Sequence, residues 1–268
     1  MTESTFVKHI ACDSCGSSDG NSLYSDGHTY CHVCHTRTNG TEMKESYIPM
    51  KKGNIGFYED ADCYPITDRN ISTAVCVKYG VKQDLVGQYH YYPYYDDTGM
   101  LSAVKTRNVG MKLFSIDGDF SKATLFGQNV FPKGGRYLTI CEGELDALSA
   151  FQMMGAKYPV VSVRNGAAAA LKDCKAQFEY IDSFENIVLC FDADEPGQKA
   201  ANQLAELFGA KVKIMKMRTT LKDASDYLKI NASREFLDDW WKAETYVPDG
   251  IVAGNTLWDI VSTPMEKA

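Results

Sequence analysis

Two Cys-x2-Cys pairs, Cys12/Cys15 and Cys31/Cys34, stand fifteen residues apart at the start of this chain. Soft ligands at that spacing close on a single tetrahedral ion, which in proteins is zinc. Four thiolates leave no open coordination position, so the ion is structural. It has to hold residues 1–40, too few to bury an apolar core of their own. His28, His32 and His35 lie close by, but the symmetric cysteine pairs make a histidine ligand unnecessary. Between the pairs, NSLYSDGHTYC alternates around a DG turn and predicts a hairpin with Asp26 and His28 near its tip. Those two are either a solvated turn or side chains able to hydrogen-bond nucleobases.

The other five cysteines, Cys63, Cys76, Cys141, Cys174 and Cys190, are scattered and read as small core hydrophobes. A net charge of −7 argues against a chain that coats nucleic acid by bulk charge. It leaves room for a local basic groove. Residues 101–136 carry Lys105, Arg107, Lys112, Lys122, Lys133 and Arg136 against only Asp117 and Asp119. No apolar run approaches the ~20 residues of a membrane span, and the N-terminus lacks a signal-peptide pattern, so a cytosolic location is expected.

The polar stretch 41–56 reads as a linker. Residues 57–135 predict a mixed basic subdomain. ISTAVCVKYGV reads as a short helix begun by Asn70 or Ser72 and stopped by Gly80. QYHYYPYY and MLSAVKTR, joined by DDTG, read as a hairpin whose second strand puts Ala103, Lys105 and Arg107 on one face. The Tyr91, Tyr92, Tyr94 and Tyr95 group reads as strand packing. From 136 to 245, apolar strands (YLTIC, PVVSV, NIVLCF, KVKIMKM) alternate with helical segments, one near Ala168 to Tyr180. This is the pattern of a doubly wound, mostly parallel sheet. Residues 246–268 read as an extended exit and one short helix. The fold class is therefore α+β/α/β: a four-cysteine zinc ribbon, a linker, a mixed basic subdomain and a doubly wound sheet.

Ligands of open α/β sheets bind outside the carboxyl ends of the strands. There stand Glu142 and Glu144 after YLTIC, Asp192 and Asp194 after NIVLCF, and the KDASD stretch with Asp223 after KVKIMKM. Crowded carboxylates repel and raise one another's pKa values unless a cation neutralises them. Hard oxygen ligands suit magnesium or manganese completed by substrate phosphates, and so metal-assisted phosphoryl or nucleotidyl transfer. Asp146, Glu195 and Asp226 read instead as helix-end or surface acids. Lys105, Arg107 and Lys112 are placed to hold phosphates opposite the rim. The sequence has no GxxxxGK[ST] phosphate loop, and with it no motor ATPase signature.

CEGELDAL, FDADEPGQKA and KDASD resemble the motifs of a TOPRIM domain. CDSCGSSDGNSLYSDGHTYCHVC resembles the zinc-binding domain of the primase half of T-seven-like phage primase-helicases, and the likeness extends through ATLFGQNVF to YVPDGIV. The resemblance implies a TOPRIM catalytic subdomain at 136–245 and a tail, 246–268, leading toward a helicase domain. It further implies zinc on Cys12, Cys15, Cys31 and Cys34, with template recognition by Asp26 and His28 and nucleic-acid contact by Arg107. The catalytic set would be Glu142, Asp192, Asp194, Lys105 and Lys112, with magnesium (two ions, or manganese) on Glu142, Asp192, Asp194 and Asp223. The implied activity is DNA-dependent synthesis of RNA primers from ribonucleoside triphosphates on single-stranded DNA, beside a helicase and a DNA polymerase in the host cytoplasm. The chain departs from the family at HVCHTRTNG and at Ser115, where the family has a lysine. A recombination mediator combining zinc with TOPRIM, or a TOPRIM nuclease or topoisomerase, are the competing readings.

Overall fold

The structure, a computed structural model, describes residues 4–17, 20–38, 55–247 and 262. The expected linker lies outside these residues except for Ile55 and Gly56, and so does nearly all of the 246–268 tail. The chain divides into two units, residues 1–51 and 52–268.

In the first unit, β1 (Phe6–Ile10), β2 (Asn21–Tyr24), β3 (Thr29–Cys31) and β4 (Arg37–Thr38) form one antiparallel sheet in chain order. The DG turn joins β2 to β3 as expected. Gly27 adopts φ +82 there, a conformation that favours glycine, and donates its N–H to the Tyr24 carbonyl at 2.8 Å. The only buried side chains described in this unit are Cys12, Cys31, Asn21 and Ser22. No aliphatic core exists among them.

The second unit opens with α1 (Ile55–Asp60) and α2 (Thr73–Tyr79). Ser72 precedes α2 and Gly80 ends it in the left-handed conformation, at the expected boundaries. The expected hairpin is the centre of a larger antiparallel sheet of β5 (Lys82–Gln83), β6 (Tyr89–Tyr95), β7 (Leu101–Asn108) and β8 (Leu113–Gly118), in chain order. Opposite residues share a face, so the pairs His90/Arg107, Tyr92/Lys105 and Tyr94/Ala103, and beyond them Arg107/Phe114 and Lys105/Ile116, line one side. Tyr91, Tyr92 and Tyr94 are buried, as strand packing requires.

A parallel sheet follows. It comprises β9 (Gly135–Cys141), β10 (Val160–Ser162), β11 (Phe184–Cys190) and β12 (Val212–Ile214), with β13 (Glu244–Thr245) antiparallel on β12, in the order β10-β9-β11-β12-β13. Helix α3 is Glu144–Met153. The helix expected near 168–180 is two, α4 (Ala167–Ala176) and α5 (Phe178–Asp182), broken at Gln177. Then come α6 (Glu195–Phe208), α7 (Ala224–Lys229) and α8 (Ser233–Trp241).

The strands' period of two sorts the core into two layers. Val188 and Cys190 of β11 face one cluster with Leu148 of α3, Tyr227 of α7 and Phe236 of α8. Ile187 and Leu189 face the other, with Ala170 of α4, Ile181 of α5 and Leu204 of α6. Helices cover both sides, so the sheet is doubly wound. Tyr79, Tyr92 and Tyr94 of the antiparallel part belong to the first cluster, which makes it a shared core. Cys76, Cys141, Cys174 and Cys190 are buried as expected, whereas Cys63 is only half-buried.

His90 lies buried in this shared face, its Nδ1 3.2 Å from the Tyr92 hydroxyl. Burial, reinforced by Arg107 and Arg69 and partly offset by Asp68 and Asp84, pushes its pKa down to about 4. The folded state thus resists a proton that the unfolded chain accepts below ~6.5, so stability falls as pH drops from there toward 4. The full effect is roughly 3 kcal/mol. Melting temperatures across that window should fall less steeply for His90→Gln than for the parent chain. Parallel curves would rule out His90 as the cause.

Candidate active site and zinc centre

The four cysteine sulfurs gather within 4.8 Å of one another, with Cys12 Sγ 3.7 Å from Cys34 Sγ and Cys15 Sγ 3.8 Å from Cys31 Sγ. Thiolates about 2.3 Å from a tetrahedral zinc stand ~3.8 Å apart, so the cluster fits one zinc ion. At the hairpin tip, Asp26 Oδ1 lies 2.5 Å from His28 Nδ1 and accepts the His28 N–H at 3.2 Å. The imidazole stacks on Tyr24, centroids 4.2 Å apart and 5° from parallel. Asp26 and His28 are therefore one positioned pair, with Nε2 the ring nitrogen left outside that contact.

In the larger unit, β9, β11 and β12 are neighbours, and the acids after them meet at one rim. The rim borders a cavity of about 530 Å³ lined by Lys105, Glu142, Glu144, Asp146 and Asp192, with Phe114 and Ile116 of β8 opposite. A larger hollow of about 800 Å³, beside Lys133 and Phe178, includes none of the predicted site residues.

Backbone N–H groups at helix starts fix most of the rim. Ala167 at the start of α4 donates to Glu142 Oε1 at 3.2 Å. Gly197 in the first turn of α6 donates to Asp194 Oδ1 at 3.0 Å, and Asp226 in α7 donates to Asp223 Oδ1 at 2.7 Å. Ser225 of α7 donates to Asp146 Oδ1 at 3.1 Å. Helix N-termini carry partial positive charge, which offsets some of the repulsion among these carboxylates. The first turn of α6 also needs glycine, because a Cβ on Gly197 would lie 2.5 Å from the Asp192 carbonyl oxygen.

Burial, aided by Asp192 and Asp194, raises the Glu142 pKa. Burial, with Asp223 and Asp194 adding to it, raises that of Asp192 despite Lys222. Asp223 and Asp146 are raised in the same way, Asp146 well above the usual carboxylate range. Asp194, bonded by Gly197 and Lys222, is lowered. Lys222 Nζ sits 3.2 Å from Asp192 Oδ2 and 3.0 Å from Asp194 Oδ2, a cation lodged between the two. Glu142 Oε2 is buried with no hydrogen-bond partner. An orphaned carboxylate oxygen, acids with raised pKa values and a cation already drawn to Asp192/Asp194 are a donor set that fits a hard divalent ion. Among the described residues, only the four cysteines bring three or more potential metal ligands within 4.8 Å of one another.

Lys105 is held deeper. Its Nζ lies 2.7 Å from Glu144 Oε1 and donates to the Arg164 carbonyl at 2.8 Å, while the Tyr94 hydroxyl donates to the same Glu144 oxygen at 2.5 Å. Arg164 is in turn clamped by buried Asp173, with Nη2 to Oδ1 2.7 Å and Nε to Oδ1 3.0 Å. Two ion pairs, Asp173/Arg164 and Lys105/Glu144, are thus joined through the Arg164 carbonyl and present one ammonium to the cavity.

The structure brings together Lys105, Glu142 and Asp192, with Asp194 and Asp223 on the adjoining loops. Arg107 shares the Lys105 face beside Phe114, outside the cavity wall. Lys112 is exposed in the turn between β7 and β8, at φ +54, and does not line the cavity. Asp146 stands in the first turn of α3, as expected of a helix-end acid, but it lines the cavity rather than an outer surface. Sequence reasoning counts Glu144 among the rim acids without its Lys105 partner, and gives no role to Lys222 or Phe114. For Glu144 and Lys222 the signal was their place inside the acidic motifs.

Residues 7–43 match a family described as the zinc-binding domain of primase-helicase, and residues 139–228 match the Toprim-like family. The DNA helicase/primase of Enterobacteria phage T3 is 36% identical over 98% of this chain. The chain spans about half of that relative, 48% of its length. The crystal structure of the primase fragment of the bacteriophage T7 primase-helicase is 36% identical with a TM-score of 0.63, over 88% of this chain and 99% of that one. The primase domains of bacteriophage T7 bound to an RNA/DNA hybrid and dTTP, in contact with the lagging-strand DNA polymerase, are 34% identical, TM-score 0.61, over 90% and 100%. The Aquifex aeolicus primase zinc-binding and RNA polymerase domains share the fold at 12% identity, TM-score 0.52, over 92% and 80%. With a four-cysteine ribbon, a Toprim sheet and identity of that order along nearly the whole T7 fragment, the chain belongs to the T7-like phage primase-helicase family, in its primase part.

Proposed function

We propose that this chain is a DNA-dependent primase that joins ribonucleoside triphosphates into short RNA primers on single-stranded DNA, for phage DNA replication in the host cytoplasm. The observation that carries the reading is the cavity in which anchored Lys105 faces Glu142 and Asp192. In the reaction a primer 3′ oxygen bonds to the α-phosphorus of the next nucleotide, and the bond from that phosphorus to pyrophosphate breaks. Lys105 supplies a fixed positive charge for the triphosphate, and its place does not depend on substrate because Glu144 and the Arg164 carbonyl already hold it. Glu142, whose Oε2 has no hydrogen-bond partner, would be the acceptor for the 3′-hydroxyl proton. Magnesium, two ions or manganese in their place, would be held by Glu142, Asp192, Asp194 and Asp223 and would supply charge stabilisation at the phosphates. Arg107, and Lys112 on its turn, would meet nucleic-acid backbone.

The zinc ribbon would select the template through Asp26 and His28, two polar groups already locked together and so able to read base edges at little ordering cost. A helicase, fused or separate, and a DNA polymerase are the expected partners. Incubation with single-stranded template, labelled ribonucleoside triphosphates and magnesium should give template-dependent oligoribonucleotides, and Asp192→Ala should give none above background. Unchanged synthesis by Asp192→Ala, binding without product, or cleavage of labelled DNA in place of synthesis would each refute the assignment.

A further inference from the structure

The shared face of the antiparallel sheet is buried along β6 and β7 but not along β8. Tyr92, Tyr94 and Ala103 are sealed in the core, whereas Phe114 is 52% exposed and Ile116 40% exposed. Leaving two large apolar side chains half in water forgoes stabilisation that burial would give. Both line the cavity that holds Lys105, Glu142 and Asp192. The Phe114 ring has cations against it, Lys105 Nζ 5.1 Å and Arg107 Cζ 5.8 Å from its centroid. An open aromatic ring beside two phosphate-seeking cations, across from a carboxylate rim, matches the parts of a nucleotide: a flat apolar base, then anionic phosphates.

Resting on the primase reading, we propose that Phe114, flanked by Ile116, is a stacking shelf for a nucleobase above the acidic rim. The residue binds and orients the base while Lys105 and Arg107 hold the attached phosphates. The base is either that of the incoming nucleoside triphosphate or that of the template.

The test uses the full chain with Phe114→Ala, Phe114→Leu and Phe114→Trp, and reads the fluorescence of 2-aminopurine. One arm titrates 2-aminopurine ribonucleoside triphosphate with magnesium and no template. The other titrates a single-stranded DNA carrying 2-aminopurine. Stacking predicts that Phe114→Ala and Phe114→Leu weaken one probe roughly tenfold or more and lose its quenching, while Phe114→Trp restores both. The affected arm identifies the base. Parent-like binding of both probes by Phe114→Ala overturns the proposal. So does parent-like behaviour of Phe114→Leu, which would show an apolar contact without ring stacking. Because the readout is binding, it stands apart from primer synthesis: loss of quenching in a chain that makes no primer would refute the primase reading alone.

Discussion

Stripping zinc from the four cysteines with a chelator unfolds residues 4–38 and leaves the larger unit folded. The small unit has no other source of stability, since its buried side chains among those described are two cysteines and two polar residues. A strand sheet of this size cannot offset its conformational entropy unaided. Structural zinc supplies about 10–16 kcal/mol in comparable fingers. Cys31→Ala, at a fully buried ligand, should do the same without a chelator. Amide NMR spectra should show the ribbon resonances collapsing to random-coil positions while those of residues 55–247 keep their dispersion. Template-selective initiation should disappear with them. Ribbon resonances that stay dispersed after zinc removal would mean that the strands, not the metal, hold the unit.

Glu144→Ala should destabilise the larger unit by about 3–5 kcal/mol, because it leaves a nearly buried ammonium without its counter-charge. Lys105 and Glu144 side chains are only 11% and 8% exposed, so water cannot replace the lost partner cheaply. The Tyr94 hydroxyl loses its acceptor in the same step. In a unit of this size each kcal/mol lowers the melting temperature by about 2–4 °C, so calorimetry should register a shift of ~6–20 °C. The double variant Lys105→Met/Glu144→Leu should recover most of that loss, since replacing a whole buried pair by apolar groups is commonly near neutral. It should also remain inactive, which separates the stabilising role of the pair from the chemical one. A single variant that melts within 2 °C of the parent would show that water reaches Lys105 and that the pair is not buried in solution.

Legibility in the sequence tracked the range of the interaction. The ribbon was readable because ligand spacing is a local property, and the doubly wound sheet because apolar runs in β9 and β11 alternate with helix-length segments. The acids at strand ends were readable for the same reason, and so was the shared face of Lys105 and Arg107, which needs only a period of two. Partners far apart in the chain were not. Nothing local to Lys105 announces that it will meet Glu144, 39 residues on, or that Lys222 will reach back between Asp192 and Asp194. Nor does LFSIDG announce β8, an edge strand with no continuous apolar run to mark it. Gln177 likewise breaks the expected α4/α5 segment at a point that composition does not mark.

The helix-start bonds carry a further meaning. Glu142, Asp194 and Asp223 each give one oxygen to a backbone N–H at the head of α4, α6 or α7. The spacing of the reactive oxygens is thereby written into the docking of three helices on a sheet. Drift at these positions is penalised twice, once as a frayed helix and once as a misplaced charge, so the same few atoms act as joinery and as reagent.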